Sequence, residues 1–183
     1  MAVNPQMLEL GTLAPDFKLP DAAGELVSLE DFGDAPALLV AFICKHCPFV
    51  QHVKAGFQAL AADLAQRGVA MVGIVSNDWD AYPADAPAEM AREGYPFPVL
   101  FDETQDVARA FRAACTPDFY VFDGDHRLAY RGQMDDSRPG TGRPVTGADL
   151  RDAVEAVLDG RVVAADQKPS IGCSIKWRPG DGA

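Results

Sequence analysis

Apolar positions along the chain follow two alternating rhythms. Ala37-Leu38-Leu39-Val40-Ala41-Phe42-Ile43 is a continuous apolar run. It is too short for an ordinary helix and suits a strand buried on both faces. Residues 48–67 then carry Phe49, Val53, Phe57, Leu60 and Leu64 at helical spacing, and Gly68 supplies the stop. Residues 69–75 form a second buried run. Strand, helix, strand in this order predicts a right-handed crossover with parallel strands.

The flanking patterns extend this unit. Phe17 and Leu19, a turn at Gly24, then Val27, Leu29 and Phe32 predict a hairpin-like opening followed by one helical turn. Downstream, the Asp- and Pro-rich residues 78–87 read as a loop, 88–93 as a short helix and 99–101 as a brief strand. Val107, Ala110 and Phe111 mark a helix over 104–113. Phe119-Tyr120-Val121-Phe122 and Leu128-Ala129-Tyr130 flank Asp123-Gly124-Asp125 as a hairpin. After a loop at 133–144, Thr146 with Asp149 three residues later predicts the start of a last helix, which Gly160 closes. Residues 161–183 show no period. Ile171, Cys173, Ile175 and Trp177 nevertheless make this tail extension too apolar to hang free, so it is expected to pack back. The fold class is therefore α/β: one domain over residues 1–183, with a central mixed sheet and helices on both faces.

Composition narrows the partners. The chain has 183 residues and a net charge of -11, which disfavours nucleic acid and anionic membrane surfaces. No apolar run approaches the roughly 18 residues of a membrane span. The first ten residues lack a basic region and an apolar signal core, so a cytoplasmic location is expected. In a reducing compartment, four cysteines point to catalysis, metal binding or burial rather than structural disulfides.

The strongest chemical signal is Cys44-Lys45-His46-Cys47, set between the first buried strand and the long helix. The spacing is expected to put Cys44 at or just before the first helical turn, where free N–H groups and the helix dipole favour a thiolate. Charged Lys45 and His46 would add to that effect, and Cys47 can reach back to release a mixed disulfide. Pro48 fits the first turn of a helix. Two other readings of the same residues stand beside this one. A zinc site completed by His46, Cys115 or Cys173 is one, although structural zinc usually draws on two such cysteine pairs. Two inert buried cysteines are the other.

Strand, Cys-x-x-Cys, helix resembles the thioredoxin arrangement. The opening Ala14-Pro15-Asp16-Phe17, then Leu19, Asp21, Gly24 and Ser28-Leu29, resembles the redoxin branch (AhpC/TSA and TlpA-like) of that superfamily. The resemblance runs from about Leu10 to Leu158. More narrowly, Cys-x-His-Cys-Pro, the loop Asp135-Asp136-Ser137-Arg138-Pro139 and the tail Pro169-Ser170-Ile171-Gly172-Cys173 look like a bacterial peroxiredoxin-like group. It implies a thiol–disulfide oxidoreductase with Cys44 attacking and Cys47 resolving. It further implies a cis bond before Pro117, with Thr116 presenting its backbone to a partner. A protein or small-molecule disulfide or thiol is the implied partner, with no metal or organic cofactor.

Departures from relatives matter. Lys-His stands where thioredoxin has Gly-Pro, and a His before the second cysteine resembles the oxidising protein DsbA, which implies a more oxidising disulfide. Peroxiredoxins carry Thr-x-x-Cys, so the alternative is a hydroperoxide-reducing thiol peroxidase with Cys47 as peroxidatic cysteine. Cys44 then stands in the Thr place, and no arginine adjoins Cys115-Thr116-Pro117-Asp118; Arg138 is the candidate to reach the site. Cys115 reads as core packing, or as a secondary redox thiol with Cys173. Cys173 either resolves Cys47, pairs with Cys115, or only anchors the tail. A redox-inactive binding module is the remaining class. His52 and His126 read as ordinary helix-face and turn residues, and Asp78, Trp79, Asp80 and Tyr82 as cover for the sheet edge or the lining of a groove.

Overall fold

The computed structural model describes residues 2, 3 and 7–180. Residues 181–183 of the expected tail, and residues 1 and 4–6 of the N-terminal stretch, lie outside the described residues. The central sheet has five strands. β4 (Ala37–Phe42) lies parallel to β5 (Ala70–Val75), which lies parallel to β6 (Val99–Phe101). On its other side β4 pairs antiparallel with β8 (Asp118–Asp123), and β8 with β9 (Leu128–Gly132), giving the order β6-β5-β4-β8-β9. A hairpin of β2 (Lys18–Pro20) and β3 (Leu26–Ser28), followed by a 3₁₀ turn at Leu29–Phe32, forms the opening.

The unbroken apolar run of β4 is explained by the alternation of a strand with both faces covered. Leu39, Ala41 and Ile43 face a core shared with α1 (Pro48–Gln66) and α4 (Ala148–Leu158). Leu38, Val40 and Phe42 face a second core, closed by α3 (Asp106–Ala110) and the opening hairpin. Phe57 of α1 anchors the first core edge-on to Phe119, with ring centroids 5.1 Å apart. Burying a side chain of that size contributes about 1.5–3 kcal/mol.

Two helices differ from their expected bounds. α3 covers Asp106–Ala110 rather than 104–113, because Gln105 and Arg112 both adopt positive φ and stop it at either end. α4 starts at Ala148 rather than Thr146. Gly147 caps it at φ 66, and Asp135 Oδ2 accepts the N–H groups of Thr146 and Gly147, each at 2.7 Å. Asp149 turns instead to the Gln133 side chain at 2.6 Å. A short α2 (Pro87–Met90) runs into a 3₁₀ turn at Ala91–Glu93.

One buried ion pair escaped the sequence pattern. Arg131 and Asp118 lie 3.4 Å apart with neither side chain exposed. Tyr120 donates its hydroxyl to Asp118 at 2.9 Å, and the Arg131 guanidinium lies over the Tyr120 ring.

The tail packs back as a strand. β10 (Gly172–Ser174) lies between β1 (Ala2–Val3) and β7 (Cys115–Thr116), antiparallel to both. Ile175 beyond it is buried. Close approach at β7 requires Gly172, since a Cβ there would meet the Thr116 carbonyl oxygen at 2.0 Å. We expect Gly172→Ala to destabilise the protein by at least about 1–3 kcal/mol, as overpacking against backbone does. Half-exposed Ile171→Ala should cost less than about 0.5 kcal/mol. Denaturant unfolding of both variants checks this, and equal midpoints would contradict it.

Candidate active site

The site sits where β4 ends. Ile43 still donates to Ile74 O at 3.0 Å, after which residues 44–47 leave the sheet. Cys47 is extended (φ -78, ψ 122) and caps α1, with Pro48 as the first helical residue. The physical reason is Pro48: a residue before proline is pushed out of the helical region, and proline in the first turn forfeits no hydrogen bond. Of the expectation that Cys44 stands at or just before the first helical turn, the first alternative is corrected. Cys47 borders the helix, and Cys44 lies a full loop ahead of it.

A carboxylate that the sequence did not single out holds the loop. Asp85 is fully buried. Its Oδ1 accepts the backbone N–H groups of Lys45 (2.7 Å) and His46 (3.1 Å). Its Oδ2 lies 2.5 Å from His46 Nδ1 and accepts from the Asn77 amide at 2.8 Å. The His46 ring also stacks on Tyr82, with centroids 5.0 Å apart. The expected cationic support of the sulfurs is not what this loop provides. Lys45 pairs with Glu89 (3.0 Å) and Glu93 (3.4 Å), and His46 faces Asp85.

Hydrogen bonds replace it. Cys44 and Cys47 are both free thiols with no exposed surface. The Cys44 thiol donates to Cys47, which pushes Cys44 well above the ordinary thiol range and draws Cys47 well below it. Burial and the nearby Asp85 charge raise Cys44 further. Against the cost of its own burial, Cys47 is also lowered by the Cys173 thiol and by the N–H groups of Val50 and Cys173. The Thr116 hydroxyl lies 3.1 Å from Cys44 Sγ. The Thr116 carbonyl oxygen, 3.2 Å from Cys47 Sγ, accepts the proton of the thiol form and so opposes the thiolate. The balance favours the thiolate on Cys47 over Cys44, at the start of α1.

The remaining predicted residues divide cleanly. The Thr116–Pro117 bond is cis, and Thr116 touches both sulfurs. Cys173 joins the pair from β10. Cys115 is buried with its sulfur toward Pro117 O (3.9 Å), and burial raises its pKa. Trp79 covers the sheet edge against Phe101, while Tyr82 belongs to the site through His46. Arg138 directs its guanidinium to Asp135 O, Ser137 O and the Gln133 side chain, within its own loop. That loop and His52, which lies 3.1 Å from Ser137 Oγ, flank a cleft beside Pro117.

For metal, the structure gathers Cys44, His46 and Asp85, with one ligand atom from each within 4.8 Å of the others. This set keeps Cys44 and His46 from the zinc reading of the sequence, and Asp85 stands in place of Cys47, Cys115 or Cys173. It provides three donors where closed zinc sites use four, and the Asp85 oxygens already serve two backbone N–H groups and a side-chain amide. Among the described residues no helix is long and apolar enough to cross a membrane.

Comparison with known proteins identifies the family and the fold. Residues 10–131 match the AhpC/TSA family. The chain is 28% identical over 130 residues to Peroxiredoxin Bcp of Escherichia coli K12, covering 70% of this chain and 80% of that protein. An uncharacterized conserved protein of Geobacillus kaustophilus superposes with a TM-score of 0.94 at 53% identity, covering 98% of this chain and 97% of the other. A putative thiol:disulfide interchange protein DsbE from Chlorobium tepidum shares the fold, with a TM-score of 0.66 at 22% identity over 82% of this chain and 99% of its own. A central mixed sheet, a thiol pair at the strand-to-helix junction and a family match over more than half its length together place the chain in the AhpC/TSA family, within the redoxin branch of the thioredoxin superfamily.

Proposed function

We propose that this protein is a thiol–disulfide oxidoreductase that cycles Cys44 and Cys47 between dithiol and disulfide. The observation that carries the reading is the Cys47 sulfur at the cap of α1, with thiol and N–H donors gathered on it. The thiolate is the nucleophile of disulfide exchange. Cys47 thiolate attacks a partner disulfide, and the partner's distal sulfur leaves as thiolate. Cys44, losing its proton to that leaving thiolate, then attacks Cys47 Sγ and expels the second partner sulfur, so the partner departs reduced. The roles are thus the reverse of those the family resemblance implied.

A peroxidase reading has one observation in its favour. The charged sulfur is Cys47, the place the resemblance gives to a peroxidatic cysteine, and a relative bears the name peroxiredoxin. Against it, the Arg138 guanidinium is held by its own loop rather than by the sulfur.

Insulin reduction and stopped-flow peroxide consumption separate the two. Insulin reduction should be abolished in Cys47→Ser, while a Cys44→Ser/Cys173→Ser double variant, with neither neighbouring thiol left, should stall as a mixed disulfide on Cys47. A trapped species on Cys44 would return the attacking role to that residue, and fast peroxide consumption without insulin reduction would sink the exchange reading.

The lowered Cys47 pKa also fixes a pH dependence. A thiolate favoured by the folded state stabilises the reduced protein fully above the ordinary thiol pKa of about 8.5. That contribution is lost as pH falls through the lowered folded value. Reduced protein should therefore lose stability relative to oxidised protein on acidification, and its disulfide should be more oxidising than thioredoxin's potential of about -270 mV. Thermal unfolding of both forms across pH and a glutathione redox titration check these outcomes.

Asp85 acts as a positioning residue. Asp85→Asn should slow insulin reduction about tenfold or more, by loosening the loop whose N–H groups it holds. Removing its charge should also lower the Cys44 pKa, seen as a shifted alkylation–pH profile. An unmoved profile would leave Asp85 a purely structural role.

A further inference from the structure

The proposed pair has no exposed surface: Cys44 and Cys47 are both sealed. The part-exposed cysteine beside them is Cys173. Its placement follows from strand register. Cys173 lies directly opposite Thr116, and Ser174 opposite Cys115. Opposed residues of an antiparallel pair project from the same face, and successive residues from opposite faces. Cys173 therefore shares the face of Thr116, whose hydroxyl lies 3.1 Å from Cys44 Sγ, and it packs against the cluster that holds Cys44 and Cys47. Cys115 projects from the other face, toward the Asp118–Arg131 pair, so its pairing with Cys173 is disfavoured. Gly172, with no Cβ to hold the strands apart, brings β10 onto Thr116 and sets this contact.

We propose that Cys173 is a third redox thiol of this centre: it forms a disulfide with Cys47, and an external dithiol protein re-reduces the chain by attack on its sulfur. The inference rests on the reading of Cys44 and Cys47 as an exchanging pair. Starting from a Cys44–Cys47 disulfide, Cys173 gives up its proton and attacks Cys47 Sγ. Cys44 leaves as thiolate and takes that proton. The disulfide now joins Cys47 to Cys173 with no net redox change. A thiolate of the external dithiol then attacks Cys173 Sγ, and Cys47 leaves as thiolate. The second external thiol attacks its own partner sulfur in the mixed disulfide and releases Cys173, leaving the chain reduced and the external protein oxidised. Two features favour this route. The attacked sulfur is the accessible one, and the leaving sulfur has the lowest pKa of the centre, which speeds departure.

The test uses the full chain oxidised with one equivalent of diamide, a diazene that takes two hydrogens from two thiols. After acid quenching and alkylation, peptide mapping identifies the linkages. Wild type should yield Cys44–Cys47 and Cys47–Cys173, and Cys44→Ser should yield Cys47–Cys173. Reduced thioredoxin, used as the probe dithiol, should re-reduce Cys173→Ser about tenfold or more slowly than wild type. Cys173→Ala should match Cys173→Ser, with unfolding midpoints confirming that both fold. A Cys44–Cys47 linkage without any Cys47–Cys173, or equal re-reduction rates, overturns this inference alone. Finding neither linkage overturns the exchanging-pair reading as well.

Discussion

The Asp85 carboxylate is the constraint on which the rest of the centre depends. Burying a carboxylate costs several kcal/mol in desolvation unless donors surround it, and here two backbone N–H groups, an amide and a ring nitrogen do so. Charge-assisted bonds of this kind contribute roughly twice what neutral ones do. They keep Lys45 and His46 out of the helix and so hold Cys44 apart from its start. The link continues outward, since Asn77 Oδ1 accepts the Lys176 N–H at 2.8 Å and Gln105 donates to both Ser76 O and Lys176 O. The loop after β5 thus clasps both the cysteine loop and the tail. A displacement at any of the three is felt by the other two.

Short-range donors rather than neighbouring cations favour a thiolate at Cys47. Lys45 sits among Glu89 and Glu93, and Lys54 also pairs with Glu93 at 2.5 Å, on a chain that is acidic overall. These part-buried pairs engage the charges of Lys45 and Lys54 with carboxylates, and salt weakens them to the extent that solvent reaches them. Buried thiol and N–H donors are not screened in that way. The acidic surface and the charged sulfur therefore coexist, because solvent and salt reach the first and not the second.

Legibility in the sequence tracks how local each cause is. The apolar run of β4, the helical spacing of α1 and Gly68 fix their elements through nearest-neighbour physics, and the structure has them within a residue or two. The helix boundary at Cys47 was written in Pro48, whose effect on the preceding residue was the signal to weigh. Asp85 was not legible. It stands in an Asp- and Pro-rich stretch beside Asp78 and Asp80, and only the fold turns Asp78 and Asp85 inward and sets Asp85 against the cysteine loop, while Asp80 stays exposed. Cys173 was visible as a candidate, but its partner depended on strand register, which a tail without periodicity does not disclose. The Arg131–Asp118 pair was hidden for a similar reason, each residue reading alone as an ordinary strand-end charge.

The strand that carries Cys173 has a consequence for how the protein comes to life on the ribosome. β4 and α1 emerge early, whereas β10 is made long after them and must slot between β1 and β7. Until it does, Cys47 lacks the Cys173 thiol and N–H that help hold its charge. The nascent Cys44–Cys47 loop then lacks two of the donors that favour a Cys47 thiolate, and on the exchange reading it would react more slowly with passing disulfides. On the exchange reading, chemical competence would arrive with β10, so docking of this strand would also serve as the safety catch on that chemistry.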